Sequence, residues 1–159
     1  MVFPPQYNEK ELVKIERLAA DQLLSSCSPH LIYLEEQEWL SCEHYYSYKI
    51  VRSATVAEQI LAAPTGKDAY QLAKPWYRYK VAGWKKMRVV LMTRALYTKV
   101  QMYPQVKQAL LETGGKKIIE TSQYDHFWGC GRDMRGNNEF GKIWMSIRKK
   151  LLESGSEQA

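Results

Sequence analysis

Apolar side chains recur at helical spacing along one stretch in the middle of the chain, and this pattern constrains the fold more than any other feature. No proline or glycine interrupts residues 84–103. At 3.6 residues per turn, one side of this stretch collects most of its apolar side chains. That side carries Trp84, Met87, Arg88, Leu91, Met92, Ala95 and Leu96. The pattern predicts the longest helix of the protein, ending near Tyr103 and Pro104.

Cap signals and shorter periodic runs on both sides of this stretch predict more helices and a little β structure. Helices are predicted over residues 9–25, 41–52, 55–63, 67–74, 104–110 and 139–153, and strands over residues 30–34 and 117–121. Asn8 and Ser41 are predicted N-caps, and Pro104 suits the first turn of a helix. Residues 35–38 are predicted to form a turn, which would make the first strand part of a hairpin.

These elements predict a mainly α fold with a small β element. We expect one compact domain over residues 1–153 and a disordered tail over residues 154–159. The chain has 159 residues, of which 45% are hydrophobic and 25% are charged. These proportions are typical of a soluble protein and exclude a disordered or low-complexity chain.

Targeting signals are not evident in the sequence. No window is long and apolar enough to span a membrane. Residues Met1 to Gln6 lack a basic region followed by an apolar run, so we expect no secretory signal and a cytosolic protein.

The cysteines predict neither a disulfide scaffold nor a metal site. Cys27, Cys42 and Cys130 are odd in number and widely spaced, so we expect reduced thiols. A structural metal site needs Cys or His at close spacing in at least two places, and Cys42 with His44 and His126 with Cys130 is a weak match. We predict no metal and no cofactor.

Acidic residues are missing from a long basic stretch of the chain. The net charge is +6, and no Asp or Glu occurs from Ala69 to Leu111. The stretch contains the bases Lys74, Arg78, Lys80, Lys85, Lys86, Arg88, Arg94, Lys99 and Lys107 and the aromatic residues Tyr70, Trp76, Tyr77, Tyr79, Trp84, Tyr97 and Tyr103. Bases interleaved with rings favour a phosphate-bearing or nucleotide-like ligand. The same pattern also arises when bases form the wet face of a helix and rings its buried face, so both interpretations stay open.

Residues 122–138 form a long stretch without periodicity, containing three glycines, two asparagines and Trp128. Loops of this length in a compact domain are usually functional. The common nucleotide-binding signatures are absent, because no glycine-rich run precedes Lys-Ser or Lys-Thr and no Gly-x-Gly-x-x-Gly occurs. Gly129 and Gly131 allow backbone amides to approach a ligand, or they serve only the turn geometry.

Two carboxylates are candidates for acid and base chemistry. Glu43 lies in the first turn of its predicted helix among His44 and three tyrosines, an environment that can make a carboxyl group a proton donor. Asp125 comes shortly before Trp128. Glycosidic bond cleavage uses two carboxylates, one for protons and one to activate water or support an oxocarbenium-like transition state. Structural roles remain open too, with Glu43 as a helix N-terminal charge and Asp125 as a turn former.

Four blocks of sequence resemble the NADAR, or YbiA-like, family over residues 39–152. Glu43-His44-Tyr45-Tyr46, with Lys49 shortly after, resembles the family's Glu-His-Tyr-Tyr/Phe-x-x-x-Lys motif. Trp84 with Met92, Ala95 and Leu96 is similar to its Trp and Met-x-x-Ala-Leu helix, and Leu110-Leu111-x-Thr113-Gly114 with Ile118-x-Glu120 is similar to its Leu-Leu-x-Thr and Leu-Val-Glu segments. The most specific block is Asp125-x-x-Trp128-Gly129-x-Gly131, Gly136-x-Asn138-x-x-Gly141 and Met145-x-x-Arg148.

The resemblance implies a mostly helical single domain that cleaves N-glycosidic bonds. One group of the family hydrolyses phosphorylated ribosylamino-pyrimidine intermediates of riboflavin synthesis, and another removes ADP-ribose from guanine bases of nucleic acid. Both substrates are N-ribosides that carry phosphate. The implied partners are therefore such a riboside or ADP-ribosyl substrate and the nucleic acid that carries it, and we expect no membrane partner.

The resemblance also implies roles for individual residues. Glu43 would be the principal acid/base residue, Asp125 the second carboxylate and Trp128 a stacking platform. Further implied substrate contacts are Gly129, Gly131, Asn138, His44 and Trp84, and the candidate phosphate contacts are Lys49, Lys74, Arg78 and Lys80.

This chain departs from the family pattern at two places. The family's Phe-Ser-Asn-Phe-like segment corresponds here to residues 24–29, Leu-Ser-Ser-Cys-Ser-Pro, and Val81 replaces an Arg three residues before Trp84. The leading hypothesis is an N-glycosidase. One alternative is a module that binds ADP-ribose or nucleic acid without cleaving it, and another is a protein whose basic stretch docks an acidic surface.

Overall fold

A computed structural model of the chain describes residues 8–157. About half of this described part is helical, and the helices are joined by four short strands and a 3-10 turn at Glu9–Glu11. The helices are α1 (Cys42–Ile50), α2 (Ala54–Leu61), α3 (Gly66–Ala73), α4 (Trp84–Met102), α5 (Pro104–Glu112) and α6 (Glu139–Glu157). The strands are β1 (Leu12–Ile15), β2 (Ile32–Leu34), β3 (Gln37–Trp39) and β4 (Lys117–Glu120). None of the described helices is both long enough and apolar enough to cross a membrane.

The chain divides into two compact units. The first joins the described residues up to Arg17 with those from Lys107 onward, and the second spans Leu18–Val106. Each unit has its own pair of strands and its own buried side chains.

Helix α1 is central to the second unit and lies against α2, α3 and α4. It begins where predicted, because the Ser41 hydroxyl accepts a hydrogen bond from the backbone amide of His44. Small and β-branched side chains form a core beside it, including Val56, Ile60 and Ala69. Close packing of this core leaves α1 almost entirely buried, including its polar residues.

A tight antiparallel hairpin precedes α1, as the sequence predicted, but the predicted turn over residues 35–38 is too long, because Gln37 and Glu38 belong to β3. Leu34 pairs with Gln37, so only Glu35 and Glu36 form the turn, with φ angles of 56° and 61°. Two successive residues with positive φ form the type of two-residue turn whose twist matches that of the paired strands. This backbone conformation disfavours side chains other than Gly, Asn and Asp. Glu35 gains compensating contacts, because its carboxylate accepts a hydrogen bond from the Tyr45 hydroxyl at 3.0 Å.

A buried ammonium group organises the segment before the hairpin. Lys99 of α4 is fully buried, and its Nζ donates hydrogen bonds to the Leu23 carbonyl at 2.5 Å, the Ser25 carbonyl at 2.8 Å and the Ser28 hydroxyl at 2.5 Å. Burial lowers the pKa of Lys99 to about 8. Because residues 23–28 have no helix or strand, these bonds replace the backbone partners that regular structure would supply.

In the first unit, β1 pairs in parallel with β4, from Leu12 with Lys117 to Ile15 with Glu120. Helix α6 packs on β4 through an apolar face, in which Phe140 and Trp144 are fully buried and meet edge to face. A second contact anchors α6, because Arg148 donates hydrogen bonds to the Thr113 hydroxyl at 2.8 Å and the Lys116 carbonyl at 2.7 Å.

The predicted helix over residues 9–25 is wrong. Asn8 does start a helical turn, but this is the 3-10 turn, and β1 and a series of turns follow it. The apolar residues of β1 fit a helix or a strand equally well. Pairing with β4, about a hundred residues later, decides for the strand because it satisfies the backbone groups of both segments.

The other boundaries lie close to the predictions, except at the C-terminus. Helix α6 continues to Glu157, past its predicted end at residue 153. Residues 154–157 of the predicted tail therefore belong to this helix, and residues 158 and 159 lie outside the described part. Residues 1–7, which include the segment searched for a secretory signal, also lie outside it.

Replacing Lys99 should destabilise the protein. We expect Lys99→Met to lower the free energy of unfolding by about 2–4 kcal/mol, because three acceptors, two of them in buried hydrogen bonds, lose their donor. Urea unfolding followed by circular dichroism measures this loss. Lys86→Met, an exposed change on the same helix, should stay within about 0.5 kcal/mol of wild type, and an equal loss in both variants would contradict the role of Lys99.

The same lysine should give stability a defined pH dependence. The lowered pKa means that folded Lys99 releases its proton above about pH 8, whereas the unfolded chain holds it up to about 10.5. The unfolded state therefore binds more protons between these values, and the free energy of unfolding rises with pH there. We expect wild type to gain stability relative to Lys99→Met across this window in urea titrations. A difference that stays flat or shrinks with rising pH would argue against a charged, buried Lys99.

Candidate active site

Glu43 lies in the first turn of α1, and its carboxylate is 0% exposed. Ser26 donates a hydrogen bond from its hydroxyl to Glu43 Oε2 at 2.6 Å, and Ser47, one turn later on α1, donates to Oε1 at 3.4 Å. The Glu43 amide also donates to the Ser26 carbonyl at 2.9 Å. A buried carboxylate is costly without such donors, so the segment held by Lys99 supplies part of the site.

His44, which follows Glu43 in the motif, is held by two partners within the second unit. The ring of His44 places Nδ1 at 2.7 Å from the Ser41 hydroxyl and Nε2 at 2.9 Å from the Ala63 carbonyl. Both ring nitrogens are thus engaged, and His44 ties the start of α1 to the end of α2 rather than presenting a free nitrogen.

Lys49 makes an ion pair with the hairpin. Its ammonium lies 2.6 Å from Glu35 Oε2. The hydrogen bond from Lys49, with smaller contributions from Tyr45 and Arg94, lowers the pKa of Glu35. A phosphate at Lys49 would therefore have to compete with this carboxylate.

The remaining predicted phosphate contacts lie between α3 and α4. Lys80 donates from Nζ to the Ala73 carbonyl at 2.6 Å and the Arg78 carbonyl at 3.0 Å, so it braces the loop. Burial and the nearby Arg78 lower the pKa of Lys80. Lys74 lies over the Tyr70 ring at 5.5 Å and Arg78 over the Tyr77 ring at 5.3 Å, and neither pairs with a carboxylate in the described part of the chain.

Trp84 opens helix α4. Its ring is half-buried and carries the Arg88 guanidinium at 5.5 Å and the Lys85 ammonium at 6.0 Å from its centroid. These stacked cations keep positive charge beside the ring.

In the first unit, Asp125 orders the loop that follows it. Asp125 Oδ1 accepts hydrogen bonds from the amides of Phe127 at 3.0 Å and Trp128 at 2.8 Å, and Oδ2 lies 3.8 Å from Arg17 Nη1. This is the turn-forming geometry that the sequence allowed for an aspartate. Trp128 itself is buried, with the Arg17 guanidinium 5.3 Å from its ring centroid and Phe127 edge-on at 4.8 Å.

A second buried carboxylate, which the sequence did not mark as a site residue, is Glu120 at the end of β4. Its Oε1 accepts hydrogen bonds from the Arg17 amide at 3.1 Å and from the Ser122 hydroxyl at 2.5 Å. The sequence signal for Glu120 is a single acid ending an apolar strand, and it was used only as part of a family motif. Arg17 was missed because it fell within the incorrectly predicted helix.

Asn138 and the glycines shape this loop. Asn138, with a φ of 53°, accepts from the Glu120 amide at 2.8 Å and donates to the Ile118 carbonyl at 2.9 Å. A Cβ at Gly129 would collide with Glu120 Oε2, and one at Gly131 would collide with the His126 ring. The loop is therefore built around Glu120 with no room for larger side chains at these glycines.

The described residues do not gather any group of three or more His, Cys, Asp or Glu placed to hold a metal ion. Cys27, Cys42 and Cys130 are buried and form no disulfide. Burial raises the pKa of Cys42 to about 12, so this thiol stays neutral.

Comparison with known proteins decides the family. The sequence matches the NADAR domain over residues 8–152. The chain belongs to the NADAR family.

Relatives of this NADAR chain include an N-glycosidase of Nostoc punctiforme, which is 34% identical over 130 residues covering 80% of this chain and 83% of that protein. A riboflavin biosynthesis protein of Vibrio vulnificus is 32% identical over 115 residues, covering 72% of this chain and 31% of that protein. The chain thus spans about a third of the second relative. The fold is similar to the NMR structure of the Escherichia coli protein YbiA, with a TM-score of 0.81, 21% identity and coverage of 92% of this chain and 88% of that one.

The space around Gly129 gives a test of the loop. We expect Gly129→Ala to lower the free energy of unfolding by about 1–3 kcal/mol, because the added methyl group would displace Glu120 or the Asp125 carbonyl. Gly115→Ala is the matched control, since nothing lies within 4 Å of a Cβ there, and its stability should stay close to wild type. Equal stability of the two variants in urea unfolding would show that the loop is looser than described.

Proposed function

We propose that this NADAR chain is a hydrolase that cleaves the N-glycosyl bond between ribose and a base in a phosphorylated riboside. Relatives named as N-glycosidases and as a riboflavin biosynthesis protein support this activity. The proposed substrate is ADP-ribosylated guanine, free or carried by nucleic acid, or a ribosylamino-pyrimidine phosphate. Both share the bond to be broken and the phosphate that the acid-free stretch would bind.

The observation that carries the proposal is the burial of Glu43 among hydroxyl groups. A glutamate serving only as a helix N-terminal charge would stabilise α1 equally well at the surface, without the cost of desolvation. Glu43 is instead fully buried and held by Ser26 and Ser47. A carboxylate buried at this cost, at the Glu position of the family's Glu-His-Tyr-Tyr motif, is the candidate for proton transfer.

In the proposed reaction, water adds a hydroxyl group to ribose C1′ while the base leaves with a proton on its nitrogen. Glu43 is the acid/base residue that moves this proton. Asp125 is the second carboxylate, and its charge would support the oxocarbenium-like transition state. Its two amide donors and Arg17 hold that carboxylate in one position.

The proposed phosphate contacts are Lys74 and Arg78, whose cationic groups have no carboxylate partner in the described part. Lys49 and Lys80 contribute less, because Glu35 and two carbonyl groups already bind them. Trp128, Gly129, Gly131 and Asn138 would act by shaping the loop around Asp125.

A second candidate is a module that binds ADP-ribose or nucleic acid without cleaving it. The departure of residues 24–29 from the family pattern favours this candidate, because Ser26 of this segment donates a hydrogen bond to the Glu43 carboxylate.

Glu43→Gln tests the hydrolase, since it keeps the shape of the side chain and removes its proton chemistry. We expect wild type to release ADP-ribose from guanine-linked ADP-ribose, or base from a ribosylamino-pyrimidine phosphate, and Glu43→Gln to be slower by about a hundredfold or more. Mass spectrometry counts the products, and Glu58→Gln, an exposed change on α2, should match wild type.

The outcomes separate the two candidates. Equal turnover by wild type and Glu43→Gln would overturn the role of Glu43. Tight retention of either substrate without any product would favour the binding module instead.

A further inference from the structure

The loop between α3 and α4 carries aromatic rings that the fold leaves uncovered. Trp76 is 94% exposed and Tyr79 is 77% exposed, and Tyr77 beside them is also exposed. The Tyr77 ring meets Trp76 edge-on, at 5.9 Å and 83°, so it does not cover the flat face of the indole. Exposed tryptophan is uncommon on soluble proteins, and a cluster of exposed rings marks an interaction surface.

This loop is held in place rather than loose. The segment after α1 pairs with it, because the Arg52 amide donates to the Tyr79 carbonyl and the Val81 amide to the Ile50 carbonyl, each at 2.9 Å. Lys80 ties the loop to the end of α3 through the Ala73 carbonyl and also binds the Arg78 carbonyl within the loop. The rings are therefore presented from a fixed backbone.

A pocket lies between this loop and the start of α2. Its volume is about 360 Å³, and it is lined by Val51, Arg52, Ser53, Val56, Tyr77, Arg78 and Tyr79. The valines and tyrosines provide an apolar wall for one planar ring, and a pocket of this size suits a small ligand. Ser53 caps α2, so the positive end of that helix also faces this region.

The positive charge of this surface favours an anionic ligand. Arg52 and Arg78 make no ion pair with any described carboxylate, and Arg78 Nε is buried with no hydrogen-bond partner in the described structure. The whole loop lies in the stretch that lacks Asp and Glu, and Asp68 just before it is bound by the Thr65 hydroxyl. Two unpaired guanidinium groups beside open rings suit a ligand with regularly spaced phosphates and stackable bases.

We propose that Trp76, Tyr77 and Tyr79, with Arg52 and Arg78, form a binding surface for single-stranded nucleic acid. One base occupies the pocket, its neighbour stacks on Trp76, and the arginines bind the phosphates between them. The three exposed rings offer more stacking faces than the single base of a mononucleotide uses, and a duplex hides its base faces, so the surface suits a single strand. The surface shares Arg78 with the proposed phosphate contacts, but binding of an unmodified strand does not depend on hydrolysis or on Glu43.

Fluorescence anisotropy with a labelled oligodeoxythymidylate of about 15 nucleotides tests this surface. We expect Trp76→Ala to weaken binding by about 5- to 150-fold, the range for losing one stacked base. Tyr124→Ala is the matched control: this ring is 88% exposed but lies outside the surface, and its loss should leave binding unchanged. Because both side chains are exposed, neither variant should affect folding.

Salt dependence tests the arginines separately. Across about 50–200 mM salt, Arg52→Gln should reduce the slope of log affinity against log salt by about 0.7, the value for one phosphate contact on a single strand. Lys149→Gln removes the same charge from an exposed position on α6 and should leave the slope unchanged.

Several results would overturn the proposal. They are no binding of the oligonucleotide at low salt, equal affinity for the matching duplex, and equal losses in Trp76→Ala and Tyr124→Ala. Saturable binding of a free mononucleotide with no gain from a longer strand would assign the pocket to a small ligand instead. Self-association that depends on Trp76 would assign the rings to a second copy of the chain.

Discussion

The buried ammonium group of Lys99 is the interaction on which the second unit most depends. It binds two carbonyls and a hydroxyl of residues 23–28, a segment with no helix or strand to pair its backbone. The same segment contains Ser26, which donates a hydrogen bond to Glu43 at 2.6 Å. A single cation therefore sets the shape of an irregular segment and, through it, the surroundings of the candidate acid/base residue. These three acceptors offset part of the cost of burying the cation, and the remainder appears as the lowered pKa of Lys99.

In the first unit, the buried side chain that holds an irregular segment is a carboxylate rather than an ammonium group. Glu120 accepts hydrogen bonds from the amide of Arg17 and the hydroxyl of Ser122. Asn138 then closes the long loop onto β4 through two hydrogen bonds. Both irregular segments that carry candidate site residues are thus held by buried polar side chains. Substitutions at these side chains will change stability and activity together. Function is therefore better tested by Glu43→Gln, which keeps the shape of the side chain, and by substitutions of exposed residues.

Much of the local structure could be predicted from the sequence. Ser41 starts α1, Pro104 starts α5, and the turn after β2 closes a hairpin, because each depends on residues a few positions apart. Glu43 and Asp125 were also chosen from sequence, through their residue types and the family motif. Arg17 and Glu120 could not be found, since their roles arise from contacts between segments about a hundred residues apart. The basic stretch does not follow the pattern of a wet face of bases and a buried face of rings throughout, because Lys99 is buried while Trp76 and Tyr79 are exposed.

By itself, the sequence determined the family, the starts and faces of most helices and the identity of the candidate carboxylates, because these depend on local spacing and residue type. Only the tertiary structure decided that residues 12–15 form a strand, that Lys99 lies inside the second unit, and that three rings of the basic stretch stay in solvent. Periodicity shows which side chains share one face of a helix or strand, but it does not show which segment of the chain that face packs against. Burial and strand pairing are set by distant segments, and their partners are chosen only when the chain has folded.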